Sequence, residues 1–348
     1  MLIKANPTPM RTSRNFGINN IKVELPENIN ESIGFGGAQV FCGDDTFFTS
    51  EGVSVPTLRY GQGEELSRNI SEHCNSKYKL YLKGDGSRIE YTMGSDNPRL
   101  INVLDIEAQS DTSLTVIYKC SDEAECFHNG ALRINIHDGC RMRLNVINMT
   151  NGASFNFDSV ECTLGRDSRL DFAAVDFGGR VSAANYFFDL RGDNSDCHFG
   201  MIYLGGGSEV KDINCIAELY GKKTNAVFDV KGAIDGECRK SFKGTINFLR
   251  GCRGAVGTED EYCLLLSDGA KSTALPMMLC TEEDVEGNHS TASGKADPSR
   301  LFYIMSRGLS YRDAVKLIVR ANFSAVLDMI VDEEIRTLVS DMADGRLS

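Results

Sequence analysis

The chain has 348 residues, with 37 Lys and Arg against 49 Asp and Glu, a formal charge of −12 and 41% hydrophobic residues. This composition excludes a disordered or collagen-like chain and leaves room for one extended core or two compact domains. The acidic balance argues against a nucleic-acid or anionic-membrane surface, which draws its affinity from clustered Lys and Arg, and favours proteins, metals and small molecules as partners.

In chain order, residues 1–32 read as an irregular N-terminal arm leading into a strand near 21–25. The first residues are polar and carry Pro7 and Pro9 where a secretion signal would be apolar. No stretch reaches the roughly 20 apolar residues that span a bilayer, so a cytoplasmic chain without membrane contact is expected.

Residues 33–297 read as many short strands separated by Gly, Asn, Asp and Ser. Leu132, Ile134 and Ile136 alternate with Arg133 and Asn135, and Met142, Leu144 and Val146 with Arg141, Arg143 and Asn145. Period-2 patterning gives each segment one face in a core and one in water. Phe155 and Phe157, Leu170 and Phe172, Tyr186 and Phe188, and Ile246 and Phe248 continue the series, with turns at Asp138-Gly139, Gly178-Gly179 and Asp235-Gly236. So many strands imply a stacked solenoid, with a parallel β-helix first and a jelly roll or paired sandwiches as the alternative. Periodicity does not separate parallel from antiparallel pairing.

After Pro298 the period changes. Ser310 precedes Tyr311-Arg312-Asp313 as an N-cap, followed by Ala314, Leu317, Ile318 and Ala321 at helical spacing. A second helix starts from Asp332, with Ile335, Leu338, Val339 and Met342 on one face. Residues 298–348 are therefore expected to form a small helical domain that caps the open end of the solenoid or docks a partner.

The motifs exclude several chemistries. The 12 cysteines contain no CxxC, which removes the usual zinc-ribbon, thioredoxin and ferredoxin patterns, and a core role is expected for most of them. Gly221-Lys222-Lys223-Thr224 lacks the upstream glycine of a phosphate loop, since position 216 is Ile216, and Gly294-Lys295 is followed by Ala296. No nucleotide is therefore expected on this chain. Gly205-Gly206-Gly207 reads as a turn. Asp158, Asp167, Asp171 and Asp176 could form the carboxylate cluster of a polysaccharide-cleaving β-helix, the alternative function, alongside a purely structural β-helix. Cys126 and His128 are an incomplete ligand pair.

Four motifs carry a resemblance. Phe242-Lys243-Gly244-Thr245-Ile246, Cys263-Leu264-Leu265-Leu266-Ser267-Asp268-Gly269-Ala270, Asp284-Val285-Glu286-Gly287-Asn288-His289 and Leu301-Phe302-Tyr303-Ile304-Met305-Ser306-Arg307-Gly308-Leu309 occur in an order and spacing that resembles the SufB/SufD family of iron–sulfur cluster assembly proteins. The resemblance implies a right-handed parallel β-helix with a helical C-terminal domain. It also implies a non-enzymatic scaffold that pairs through its last β-helix strands, as a homodimer or with a SufB-like protein. The C-terminal helices would bind the ABC-type ATPase SufC, which supplies the ATP use.

Residue by residue, the cysteine expected of SufB-type members falls on Ala270, the shared histidine is His289, the cysteine some SufD-type members carry falls on Gly287, and a histidine expected near Leu219-Tyr220-Gly221 is missing. The chain is thus closer to SufD. A transient iron–sulfur cluster needs ligands that release it, and imidazole and carboxylate bind it less firmly than thiolate. His289 and Glu286 are the candidate cluster or iron ligands, with Cys263 and Cys280 as substitutes for the missing thiol. Gly308 is expected to cap a short helix in the left-handed conformation, with Arg307 at its negative end.

Overall fold

The computed structural model describes residues 1–9, 17–31 and 33–347, so positions 10–16 and 32 of the expected arm and position 348 of the expected helical domain lie outside the described residues. Strands β1 (Leu2–Ala5) and β2 (Ile21–Glu24) form an antiparallel pair. Two short strands follow, β3 (Ala38–Phe41) and β4 (Phe47–Thr49), then helix α1 (Glu64–His73).

Sixteen strands then run without an intervening helix: β5 (Ser76–Leu82), β6 (Ser87–Met93), β7 (Arg99–Ala108), β8 (Thr112–Cys120), β9 (Phe127–Ile136), β10 (Arg141–Met149), β11 (Phe155–Leu164) and β12 (Arg169–Asp176) make the first half. The second half comprises β13 (Val181–Leu190), β14 (Asp196–Gly205), β15 (Val210–Leu219), β16 (Asn225–Ile234), β17 (Arg239–Phe248), β18 (Ala255–Leu265), β19 (Lys271–Cys280) and β20 (Val285–Gly294). Helices α2 (Pro298–Met305), α3 (Tyr311–Met329) and α4 (Glu333–Arg346) close the chain.

From β5 onward each strand pairs in parallel with the second strand after it, odd with odd and even with even. The result is a parallel β-solenoid of eight coils, with β4 and β3 added antiparallel at its first coil. Parallel pairing thereby resolves the ambiguity that periodicity leaves. The interior fills with one row from each sheet, among them Leu80, Leu104, Ile134, Leu144, Phe172, Phe188, Phe199 and Phe228.

The expectation of one wet face per strand is corrected for the middle coils. Val175, Phe177, Ile202 and Leu204 lie on the outer face of the even-numbered sheet, yet are buried by Val319, Phe323, Val326 and Val339 of α3 and α4. Phe155 and Phe157 face outward from the odd-numbered sheet and are buried by Ile3, Val23, Leu66 and Ile70 of β1, β2 and α1. Each sheet therefore has a second hydrophobic layer, which explains strands apolar on both phases.

The C-terminal helices do not cap the open end as expected. Ser310 and Asp332 do act as N-caps, the Ser310 hydroxyl accepting from Asp313 N at 3.1 Å and Asp332 from Glu334 N at 2.9 Å. However, α3 lies across β12, β14 and β16, where its Phe323 ring stacks on Phe177 at 6.0 Å. The buried stripe is also rotated from the expected one. It uses Val315, Val319, Phe323 and Val326 with Ala314 and Ile318, and leaves Leu317 and Leu338 48% and 44% exposed. The last coil, β19 and β20, is largely exposed, with Met277 its one buried residue. Gly308 adopts the expected left-handed conformation, φ 97°, just beyond α2.

Candidate functional site

One interior column locates the site. Register stacks Leu114, Leu144, Phe172, Phe199, Phe228, Glu259 and His289 directly on successive coils, 27 to 31 residues apart. The aromatic members pack edge to face, Phe172 to Phe199 at 5.2 Å and Phe199 to Phe228 at 5.8 Å. On the last two coils the column changes from hydrocarbon to a carboxyl and then an imidazole.

Glu259 is 1% exposed, and both its carboxyl oxygens lack a hydrogen-bond partner among the described residues. Burial, reinforced by the Glu261 carboxylate, pushes its pKa up to about 8, so the group carries its proton at neutral pH. Gly244 makes the room, because a Cβ there would overlap the Glu259 carboxyl. Two positions along, Glu261 is also buried but paired, accepting from Lys240 Nζ at 2.7 Å and Tyr203 Oη at 2.9 Å. Tyr203 in turn packs where a Cβ on Gly232 would lie.

The four residues expected from sequence are separated by this geometry. His289 is exposed on the inward-facing row of β20, in register with Glu259. Glu286, three residues earlier, pairs with Val256 and lies on the opposite face, where it accepts from Asn288 Nδ2 at 3.1 Å. Cys263 is buried in the row of Glu259 and Glu261, its thiol pKa raised by burial, four positions along the strand from the His289 level, or about 13 Å. Cys280 is exposed at the end of β19 and donates to Glu282 O at 2.9 Å. Ala270 is a buried member of the interior core. No group of three or more metal-binding side chains occurs among the described residues. On the last two coils, the described residues thus offer an exposed imidazole, His289, with a protonated carboxyl behind it.

Glu259, Glu261 and Lys240 were missed by sequence reasoning, although a signal existed: Glu259 and Glu261 fall in the phase of Gly257 and Cys263, the buried phase of β18. The other candidates do not converge. Asp158 and Asp176 point into the interior, Asp158 accepting from Tyr186 Oη at 3.1 Å and raised to about 7 by burial, and Asp176 paired with Lys211 at 3.0 Å. Asp167 sits in a turn with φ 55°, and Asp171 is held by Arg169 on the outer face. His128 is fully buried between Asn156 and Asn102, at 2.6 and 2.8 Å, and burial lowers its pKa to about 4.

The fold defines the chain as a parallel β-solenoid protein with a helical C-terminal region, and comparison with known proteins places it in a family. The family profile described as "SUF system FeS cluster assembly, SufBD core domain" matches residues 91–322. The chain belongs to the SufB/SufD family of iron–sulfur cluster assembly proteins, on its SufD side.

It is 21% identical over 250 residues to the iron-sulfur cluster assembly protein SufD of Bacillus subtilis, covering 71% of this chain and 57% of that protein. Identity to SufD of Escherichia coli is 22% over 244 residues, covering 70% and 58%. An iron-sulfur cluster assembly SufBD family protein of Mycobacterium bovis is 28% identical over 185 residues, covering 50% and 46%. The chain spans a little over half the length of the two SufD proteins. No helix among the described residues is long and apolar enough to cross a membrane.

Proposed function

We propose that this chain is a non-catalytic, cytoplasmic scaffold subunit of a SUF-type iron–sulfur assembly complex. It pairs through β19 and β20 with a SufB-like subunit or a second copy of itself, and binds the ATPase SufC through its C-terminal helices. Residues 1–32, 33–297 and 298–348 serve as arm, β-helix and helical unit of that scaffold. The observation that carries this reading is the interior column ending in Glu259 and then in His289 on the largely exposed last coil.

A cluster is cargo here. His289 offers it an imidazole nitrogen, and a partner completes the ligand set, since no group of three or more metal-binding side chains occurs among the described residues. Of the sequence candidates, Glu286 serves a partner-facing role on the opposite face, and Cys280 is the one candidate thiol in reach of solvent. The SufC assignment is supported by apolar side chains left exposed on the helices and their links, Phe302 at 75%, Tyr303 at 59% and Leu317 at 48%.

The test is anaerobic reconstitution of the chain with iron, sulfide, SufC and a SufB-like partner. A charge-transfer absorption band that is lost in His289→Ala supports the reading, whereas no band under any partner combination overturns it. SufC co-purification should fall in Phe302→Asp/Leu317→Asp, and its persistence would remove the helices as the dock.

A further inference from the structure

A second concave site lies on the opposite flank. A cavity of about 860 Å³ opens between the β1–β2 pair and the starts of β15, β17 and β19. Every ionisable side chain among its described lining residues is cationic: Lys4, Lys22, Lys211, Arg239, Lys240 and Lys271. The ammonium groups of Lys211 and Lys240 are already used, in ion pairs with Asp176 and Glu261 inside the solenoid. The other four are exposed, and none has an ion pair or a side-chain hydrogen bond among the described residues.

Their arrangement is the unusual feature. Lys4 stands directly opposite Lys22 in the antiparallel β1–β2 pair. Arg239 stands directly beside Lys271 in the parallel β17–β19 pair. Like charges in directly paired cross-strand positions destabilise a sheet, and here two such pairs face one cavity in a chain whose net charge is −12. The neighbouring positions in the outward row, Ser241 and Thr273, are also paired in register; Thr273 adds a hydroxyl to the wall, while that of Ser241 is engaged by Asp212. A compact anion with several charges would relieve both pairs at once. Two phosphoryl groups supply that charge in a volume this cavity accommodates, and a single carboxylate does not.

We propose that this cavity is a binding site for a small phosphorylated polyanion, held by Lys4, Lys22, Arg239 and Lys271. The site is separate from His289 on the last coil and does not depend on cluster chemistry. The probe is inorganic pyrophosphate, titrated calorimetrically into the full chain at low ionic strength. Saturable binding with one site per chain is expected, weakened at least tenfold in Lys22→Gln/Lys271→Gln. The control Lys83→Gln/Lys222→Gln removes the same charge elsewhere on the surface and should stay within twofold of the parent. Absence of saturable binding overturns the proposal, and so does equal weakening in both double variants, which would mean a diffuse charge effect. Circular dichroism of the variants checks that the fold is retained.

Discussion

At Glu259 two opposing demands meet: the position is in the buried phase of β18, and no donor is placed to stabilise a carboxylate there. With a folded pKa of about 8 against an unfolded value near 4.5, the folded chain holds a proton that the unfolded chain releases across that window. The group's contribution to stability is therefore complete below the unfolded pKa and is lost as pH rises through about 8, at about 1.4 kcal/mol per pH unit at most. Glu259→Gln keeps the shape and removes the ionisation, so its urea midpoint should change less than the parent's between pH 5 and pH 9 and exceed it at the alkaline end. Parallel pH profiles of the two proteins would sink the assignment.

A thiol shows the converse shift. A hydrogen bond from the Cys126 side chain is the main cause that lowers the Cys120 pKa below that of an ordinary thiol, and Cys120 Sγ accepts from Asn151 N at 3.5 Å. Cys126 is pushed up correspondingly and keeps the proton. Iodoacetamide labelling followed by peptide mapping should give Cys120 an inflection below that of an ordinary thiol, and Cys126→Ala should move it upward. An unchanged inflection in that variant would refute the pairing. The buried phase of Glu259 was legible in the alternation of β18, but the shifts were not, because they depend on how deeply the coils bury each group and on side-chain contacts that a strand pattern does not specify.

Elements were legible where a single local pattern dictates them. The Ser310 and Asp332 caps and the alternating strands were read correctly, because a cap or a period-2 row acts over a few residues. Helix α1 was missed: it starts from Gly63 with φ 116° and no side-chain cap, and buries only Leu66, Asn69 and Ile70. β1 was missed because four residues gain strand identity only by pairing with β2. The turns between strands carry a constraint that alternation does not reveal. An added Cβ at Gly192 would run into the backbone of Gly165 and Arg166 one coil away, and one at Gly221 into that of Gly192. Backbone cannot rotate aside as a side chain can, so Gly192→Ala should cost about 1–3 kcal/mol in chemical denaturation. Gly152→Ala, where the nearest atom is Glu209 Oε1 at 3.7 Å, is the matched control and should be close to neutral. Equal effects at the two positions would show that the corners are looser than this stacking requires.

On the scale of the whole molecule, the fold class was readable and the placement of the helices was not, because an apolar helix stripe specifies that it must be covered but not by which surface. The stripe is covered by the outer face of the even-numbered sheet, where Ile147, Val175, Phe177 and Ile202 are each no more than 2% exposed. Arg346 fastens the end of α4 to that flank through both oxygens of Glu209, at 2.7 Å each. This location changes what a truncation can test. Removing 310–348 strips the cover from the sheet as well as any partner dock, so loss of SufC binding in that chain would be ambiguous. The expected result is a chain that retains strand circular dichroism but associates with rising concentration in light scattering, with no partner present. Phe302→Asp/Leu317→Asp, which changes only the exposed face, should remain monodisperse at the parent's size and melt within about 2 °C of it. A truncated chain that stays monodisperse and melts with the parent would mean that the helices are an independent appendage, and the second hydrophobic layer would lose its structural role.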